Sequence, residues 1–205
     1  MYQRTPEITI IGGGLVGLSV ALGLLKAGQR VCVLDGADND ARASQGNFGL
    51  IWGQGKGWDF APYANGTMDA LAAWPAFAKQ LQDLSGIDVA LDQSGGYEFF
   101  TDPTEFDAFE AELAQQATHL GNRARYEMLN GEELRSQMKG IGPDVVGASF
   151  SPCDGHVNPL RFLRALRCSV QAMGGHVTLG ATVSAIRLQP NGGFALALAN
   201  GETLQ

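Results

Sequence analysis

Basic residues are scarce and scattered. Fourteen Lys and Arg stand against twenty-one Asp and Glu, for a net charge of −7. No lysine- or arginine-rich run occurs, so nucleic acid and anionic membrane surfaces are poor candidate partners. Cysteine is also sparse. Cys32, Cys153 and Cys168 are odd in number and far apart, which excludes a disulfide framework and a zinc-ligand spacing. That usage suits the reducing cytoplasm, the expected compartment. Cys32 falls within an apolar run and reads as a small buried hydrophobe. The stretch Ile8 to Leu25 carries no charge. A signal peptide or membrane span is a poor reading of it, because it holds five glycines, no small-residue cleavage site follows, and it runs straight into a strand. No Gly-Lys-Ser/Thr follows its glycines, so a phosphate loop of the nucleoside-triphosphatase kind is excluded.

Glycine, by contrast, is abundant: 28 of 205 residues, about twice the usual share. The excess is concentrated at 12–17 and 46–57, as expected where backbone must approach a ligand. A hydrophobic content of 45% over 205 residues is enough to bury a core in one or two domains.

The first glycine cluster sits inside a complete βαβ pattern, ITIIGGGLVGLSVALGLLKAGQRVCVLD, from Ile8 to Asp35. A short apolar strand leads into Gly12-Gly13-Gly14-Leu15-Val16-Gly17, the G-x-G-x-x-G spacing. Gly12 permits the tight turn, Gly14 lets a pyrophosphate approach the backbone, and Gly17 lets the next helix pack close to the strand. The unpaired N–H groups and positive dipole end of that helix would face the phosphates. Leu15, Leu18, Leu22 and Leu25 give it one apolar face, and Gly28 ends it. A second strand over 31–34 leads to Asp35, eighteen residues past Gly17, placed to accept hydrogen bonds from ribose hydroxyls. An acid there, rather than an arginine, argues against a 2′-phosphorylated ribose. The motif is compatible with FAD and with NAD and does not choose between them.

Beyond Asp35, the segment 36–65 has no clean periodicity, and such a long irregular connection is usually functional. Its Ala43-Ser44 and Gly46 to Trp52 mix small polar groups with apolar ones too hydrophobic for a solvated linker. A helix is expected over 68–84, with Pro75 as an irregularity or break. Strands are expected over 88–91 and 96–100, then a helix opened by Asp102-Pro103. A strand over 126–129 precedes a short helix capped by Asn130 with Glu133 at its third position. A strand over 145–150 follows. Asn158 and Pro159 open a helix over 159–173 that stops at Gly174-Gly175. Strands over 176–179, 182–188 and 194–198 close the chain, with Asn191-Gly192 as a hairpin turn. The expected fold class is α/β: a Rossmann-like dinucleotide-binding domain with an inserted α+β segment. The expected divisions are 1–86 and 151–205 for the nucleotide domain and 87–150 for the insertion.

Together these blocks resemble the D-amino-acid oxidase family of flavoproteins, which includes glycine oxidase, sarcosine oxidase and D-amino-acid dehydrogenase. GGGLVGLSVALGLLKAGQRVCVLD, ARASQGNFGLI, DGHVNPLRFLRAL, and GATVSAIRL with ANGETL carry the match. The run GNFGLIWGQGKG is also similar to amine-dehydrogenase subunits of the family, such as those of opine oxidase and hydrogen cyanide synthase. The resemblance implies FAD rather than NAD. It places Gly12, Gly13, Gly14, Leu15, Val16 and Gly17 at the pyrophosphate and Asp35 at the adenosine ribose. It further places Ser44 at the phosphate–ribitol region, Gly49 and Leu50 along the isoalloxazine, and the Val183 backbone at the adenine. The implied reaction is oxidation of an amino acid or related amine to an imine by hydride transfer to the flavin. The implied partners are that substrate together with a second subunit or an electron acceptor. Family members are nearly twice as long, so the chain is expected to be the N-terminal portion of such an enzyme, with the C-terminal part of the substrate domain missing.

No residue is assigned as catalytic acid or base. His156, in a turn before a capped helix, reads as structural or solvent-facing, and Cys153 has no evident group to lower its pKa. Lys56 reads as a solvated loop lysine in preference to one beside the flavin, and Trp52 and Trp58 read equally well as walls of an active site and as packing aromatics. Two other functions stand beside the flavoenzyme. One is an NAD-dependent dehydrogenase. The other is a non-catalytic FAD-binding subunit completed by a second chain.

Overall fold

The computed structural model describes residues 7–36, 42–190 and 192–205. In chain order the elements begin with β1 (Ile8–Ile11), α1 (Leu15–Lys26), β2 (Val31–Leu34), β3 (Leu50–Ile51), α2 (Ala61–Ser85) and β4 (Gly96–Phe100). There follow α3 (Pro103–Leu120), β5 (Glu127–Asn130), α4 (Gly131–Gln137), β6 (Gly147–Ser151) and β7 (Gly155–His156). The last are α5 (Pro159–Ala172), β8 (His176–Thr178), β9 (Val183–Leu188), β10 (Phe194–Leu198) and β11 (Thr203–Leu204). They form two compact units. One is built from described residues within 1–47, 79–89 and 158–205, the other from 48–78 and 90–157.

The first unit is the α/β one. Its parallel sheet has the order β1-β2-β8, with Ile8 opposite Val31 and Cys32 opposite His176. All four residues of β2 are buried, the signature of a parallel strand covered on both faces. Helix α1 buries Leu18, Ala21 and Leu22 and packs against α5. Burying each leucine stabilises by roughly 1.5–3 kcal/mol. Gly28, at φ +80°, gives the helix a left-handed stop. A second, antiparallel sheet has the order β11-β10-β9, and Leu196 and Leu198 of β10 join Cys32 and Leu34 of β2 in one cluster. Of the expected β9–β10 turn, Asn191 lies outside the described residues. Gly192 and Gly193 have φ +87° and +80°.

The second unit is α+β. Its antiparallel sheet has the order β4-β6-β5, with a core of Leu129, Leu134 and Ala148. Two local signals position its helices. The Asp102 carboxylate accepts from Thr104 N–H and opens α3. Asn130 and Glu133 form a reciprocal capping box on α4. The strand expected over 88–91 does not form. Ala90 has φ +54°, which no extended strand accommodates, and the extended pairing is a bridge between Asp92 and His156 instead.

Nor does α2 break at Pro75. It is one helix from Ala61 to Ser85 with Pro75 inside. Proline removes the N–H that would bond the carbonyl four residues earlier, here that of buried Leu71. The Gln93 side-chain amide donates to that carbonyl at 3.1 Å. A side chain from outside the helix thus restores the bond that proline deletes. The helix also starts earlier than expected, with Pro62 and Gly66 inside it. Proline is tolerated in a first turn, where no intrahelical donor is needed.

Candidate nucleotide site

The glycine turn of the first unit is built for close approach of backbone. Gly12 has φ +107°, open to glycine at no steric cost, and its N–H donates to Leu34 O at 2.8 Å. A Cβ on Gly17 would sit 1.9 Å from Gly12 O, and one on Gly14 2.8 Å from Ser44 Oγ. Helix α1 starts with Gly14 as a cap that lacks a side chain. Ser44 supplies the missing acceptor, its Oγ taking the Leu15 N–H at 3.0 Å. The Gly13 N–H donates to Asp35 Oδ1 at 2.9 Å. Glycines 12, 13, 14 and 17, Leu15, Asp35 and Ser44 therefore come together around one helix N-terminus. Val16 is 79% exposed. Val183 opens β9 opposite Leu198. Gly49 and Leu50 belong to the other unit, where Leu50 pairs with His156.

Asp35 is buried and bonded to the Arg42 guanidinium as well as to Gly13. Burial pushes its carboxyl pKa up. The Gly13 N–H, the Arg42 hydrogen bond and charge, and the Arg167 charge outweigh burial and hold it below the ordinary value. It is thus an ionised acceptor at neutral pH, as ribose hydroxyls require. Asp35 and an arginine, alternatives for this place by sequence, occupy it together in the structure. Arg42 lies in a stretch without periodicity, seven positions after Asp35, so nothing in the pattern marked it.

In the second unit the loop from Gly53 to Gly57 is held by buried side chains. Asp154 is fully buried and accepts from Gly53 N–H at 2.7 Å. Burial raises its pKa, against opposing hydrogen bonds from the Gly53 and Gln54 N–H groups, the Gln54 side chain and Ser151. The Gln116 amide donates to the carbonyls of Gly53 and Lys56 at 2.8 and 2.7 Å. Its oxygen accepts from Gly55 N–H at 3.3 Å. Lys56 itself is exposed. His156 is exposed and engaged through its backbone with Asp92, an arrangement that gives its imidazole no visible catalytic task. Asp154 and Gln116 went unmarked in the sequence, where buried polar residues look like surface ones.

A cavity of about 540 Å³ in the first unit is lined by Ile11, Cys32, Ile186, Phe194, Leu196 and Leu204, among others, and by none of the glycine-turn residues. It is mostly apolar, with Glu7, Thr9 and Gln205 as its polar side chains, and none of its lining residues starts a helix. Among the described residues no helix is long and apolar enough to cross a membrane.

Residues 7–205 match the family described as DAO, FAD dependent oxidoreductase. An opine oxidase subunit from Rhizobium meliloti is 42% identical over 175 residues, covering 85% of this chain and 47% of that protein. The corresponding opine oxidase subunit from Agrobacterium tumefaciens (strain Ach5) is 40% identical over 197 residues, covering 96% and 52%. The chain thus spans about half the length of these curated relatives. The crystal structure of glycine oxidase from Bacillus cereus ATCC 14579 superposes with a TM-score of 0.82 over 98% of this chain and 53% of that one. At 23% identity, that likeness speaks for the fold.

Proposed function

Because the chain belongs to the DAO family of FAD-dependent oxidoreductases, we propose that its glycine turn holds the ADP half of FAD. We propose further that the protein serves the oxidation of an amino acid or related amine. The observation that carries the reading is the set of groups gathered at the start of α1: amides of the glycine turn, the Ser44 hydroxyl and the ionised Asp35. A cradle of bare backbone fits a diphosphate: a Cβ on Gly14 would stand 2.8 Å from Ser44 Oγ and crowd the helix end. In this reading the turn amides and the helix end hold the diphosphate, Asp35 takes the ribose hydroxyls, and Ser44 contacts the phosphate–ribitol region. Val183 offers backbone to the base. The chemistry that FAD supplies when bound is hydride acceptance from the carbon bearing the amino group.

The two relatives that are opine oxidase subunits favour an opine-type amine, a secondary amine between two carboxylate-bearing carbons, as the substrate class. They also favour work alongside another chain. The test is anaerobic bleaching of the flavin band of the FAD-loaded protein by a panel of opines, glycine, sarcosine and D-amino acids. Bleaching by opines ahead of the others is the expected result. Bleaching by none of them would leave a protein that binds FAD without turning over, and would sink the amine-oxidation reading for the chain alone.

A further inference from the structure

The base of a dinucleotide is bonded to its ribose, so it lies a few Å beyond the ribose acceptor, on the side away from the diphosphate. Beside Asp35 stand Gly36, Arg42 and Thr182. A Cβ on Gly36 would stand 3.2 Å from both Arg42 Nη2 and Thr182 Oγ1. The guanidinium and the hydroxyl therefore flank a patch of backbone that carries no side chain. The patch is anchored. Asp35 N–H donates to Thr178 O at 2.9 Å, Ala181 N–H to Asp35 O at 2.7 Å, and Gly180 N–H to Gly36 O at 3.2 Å. The guanidinium is fixed as well, because Nη1 is bonded to Asp35 Oδ1, the oxygen that also takes Gly13 N–H. Its side chain is 23% exposed, enough to present a face.

We propose that Arg42 reads the adenosine half of the bound dinucleotide: held in plane by Asp35 beside Gly36 and Thr182, its guanidinium is the surface on which the nucleobase stacks. A guanidinium is planar, always charged and weakly hydrated, and it stacks on aromatic faces where an ammonium does not. Asp35 then has two tasks, accepting the ribose hydroxyls and orienting Arg42. This inference rests on the nucleotide reading of the same turn.

The test is calorimetric titration of the full chain and its variants with FAD and, separately, with ADP, which carries the adenosine half alone. Each variant is first checked by thermal unfolding without ligand. Arg42→Ala is expected to weaken FAD and ADP by the same factor, about tenfold. Arg42→Lys keeps a charge beside Asp35 but loses the plane, and is expected to recover little of that loss. Should Arg42→Ala fail to fold, Arg42→Lys carries the test alone. Unchanged ADP affinity in Arg42→Ala overturns the proposal, and so does full recovery in Arg42→Lys, which would make charge the whole effect. A loss confined to FAD also overturns it, by moving the role to the flavin half. Wild-type protein that binds ADP but not FAD refutes the FAD reading and leaves the Arg42 comparison intact on ADP. Binding of neither ligand overturns both.

Discussion

The side-chain repair of α2 gives a prediction that can be worked through in numbers. Pro75 offers no N–H to Leu71 O, and Gln93 Nε2 donates to it at 3.1 Å and to Cys153 O at 3.3 Å. Leu71 is 5% exposed, so water is a poor substitute. Gln93→Leu would leave that carbonyl without a donor, at a cost of roughly 1–3 kcal/mol, and would also lose the Cys153 bond, worth about 1 kcal/mol. Pro75→Ala supplies the missing N–H from within the helix. In the Pro75→Ala background, Gln93→Leu should therefore cost only the Cys153 bond. The expected coupling between the two positions is about 1–3 kcal/mol. Urea unfolding of the four proteins measures it, since at slopes of about 2 kcal/mol per molar such a difference moves the midpoint by roughly 0.5–1.5 M. Trp52, Trp58 and Trp74 all lie in the second unit, so tryptophan fluorescence reports the unit that contains the repair. An equal cost of Gln93→Leu in both backgrounds would refute the reasoning.

Three further outcomes are expected. Gly17→Ala puts a methyl 1.9 Å from the Gly12 carbonyl oxygen, a backbone atom that yields only if the turn opens. It should destabilise by about 1–3 kcal/mol and weaken nucleotide binding, and denaturation with ligand titration would expose the error if neither moved. Asp154 has a pKa raised above the ordinary 3.8, so its stabilising contribution is full below that value and is lost as pH rises through the folded-state pKa. Asp154→Asn removes this titration, and the stability of wild type relative to the variant should fall as pH rises above the ordinary carboxyl value of 3.8. Parallel pH profiles would contradict the assignment. Asn130→Ala deletes the acceptor for the Glu132 and Glu133 N–H groups, each at 3.0 Å. It should cost about 1 kcal/mol, seen as a lower unfolding midpoint and faster amide exchange in α4.

What the sequence disclosed was chiefly local. Asp102 with Pro103, Asn130 with Glu133, and Asn158 with Pro159 announce helix starts through neighbours three or four residues away, and each forms the cap its pattern implies. The βαβ register from Ile8 to Asp35 was equally legible, because strand, turn and helix lie within one contiguous stretch. Long-range compensation was invisible. Nothing near Pro75 in sequence shows that Gln93, eighteen positions on, supplies the donor that lets the helix continue. The same holds for Asp154 and Gln116 on a loop sixty to a hundred residues earlier in the chain. A strand over 88–91 was a reasonable expectation from composition. The left-handed Ala90 that prevents it is set by the fold, since alanine carries no mark of such a conformation.

The central claim is that the turn from Gly12 to Gly17 is an FAD cradle. The most direct test is the absorption spectrum of the chain after incubation with FAD and desalting, beside Gly14→Val, whose Cβ would press 2.8 Å from Ser44 Oγ. The account predicts flavin bands retained by the wild type and absent from the variant. Bands absent from both proteins, or equally retained by both, would contradict it.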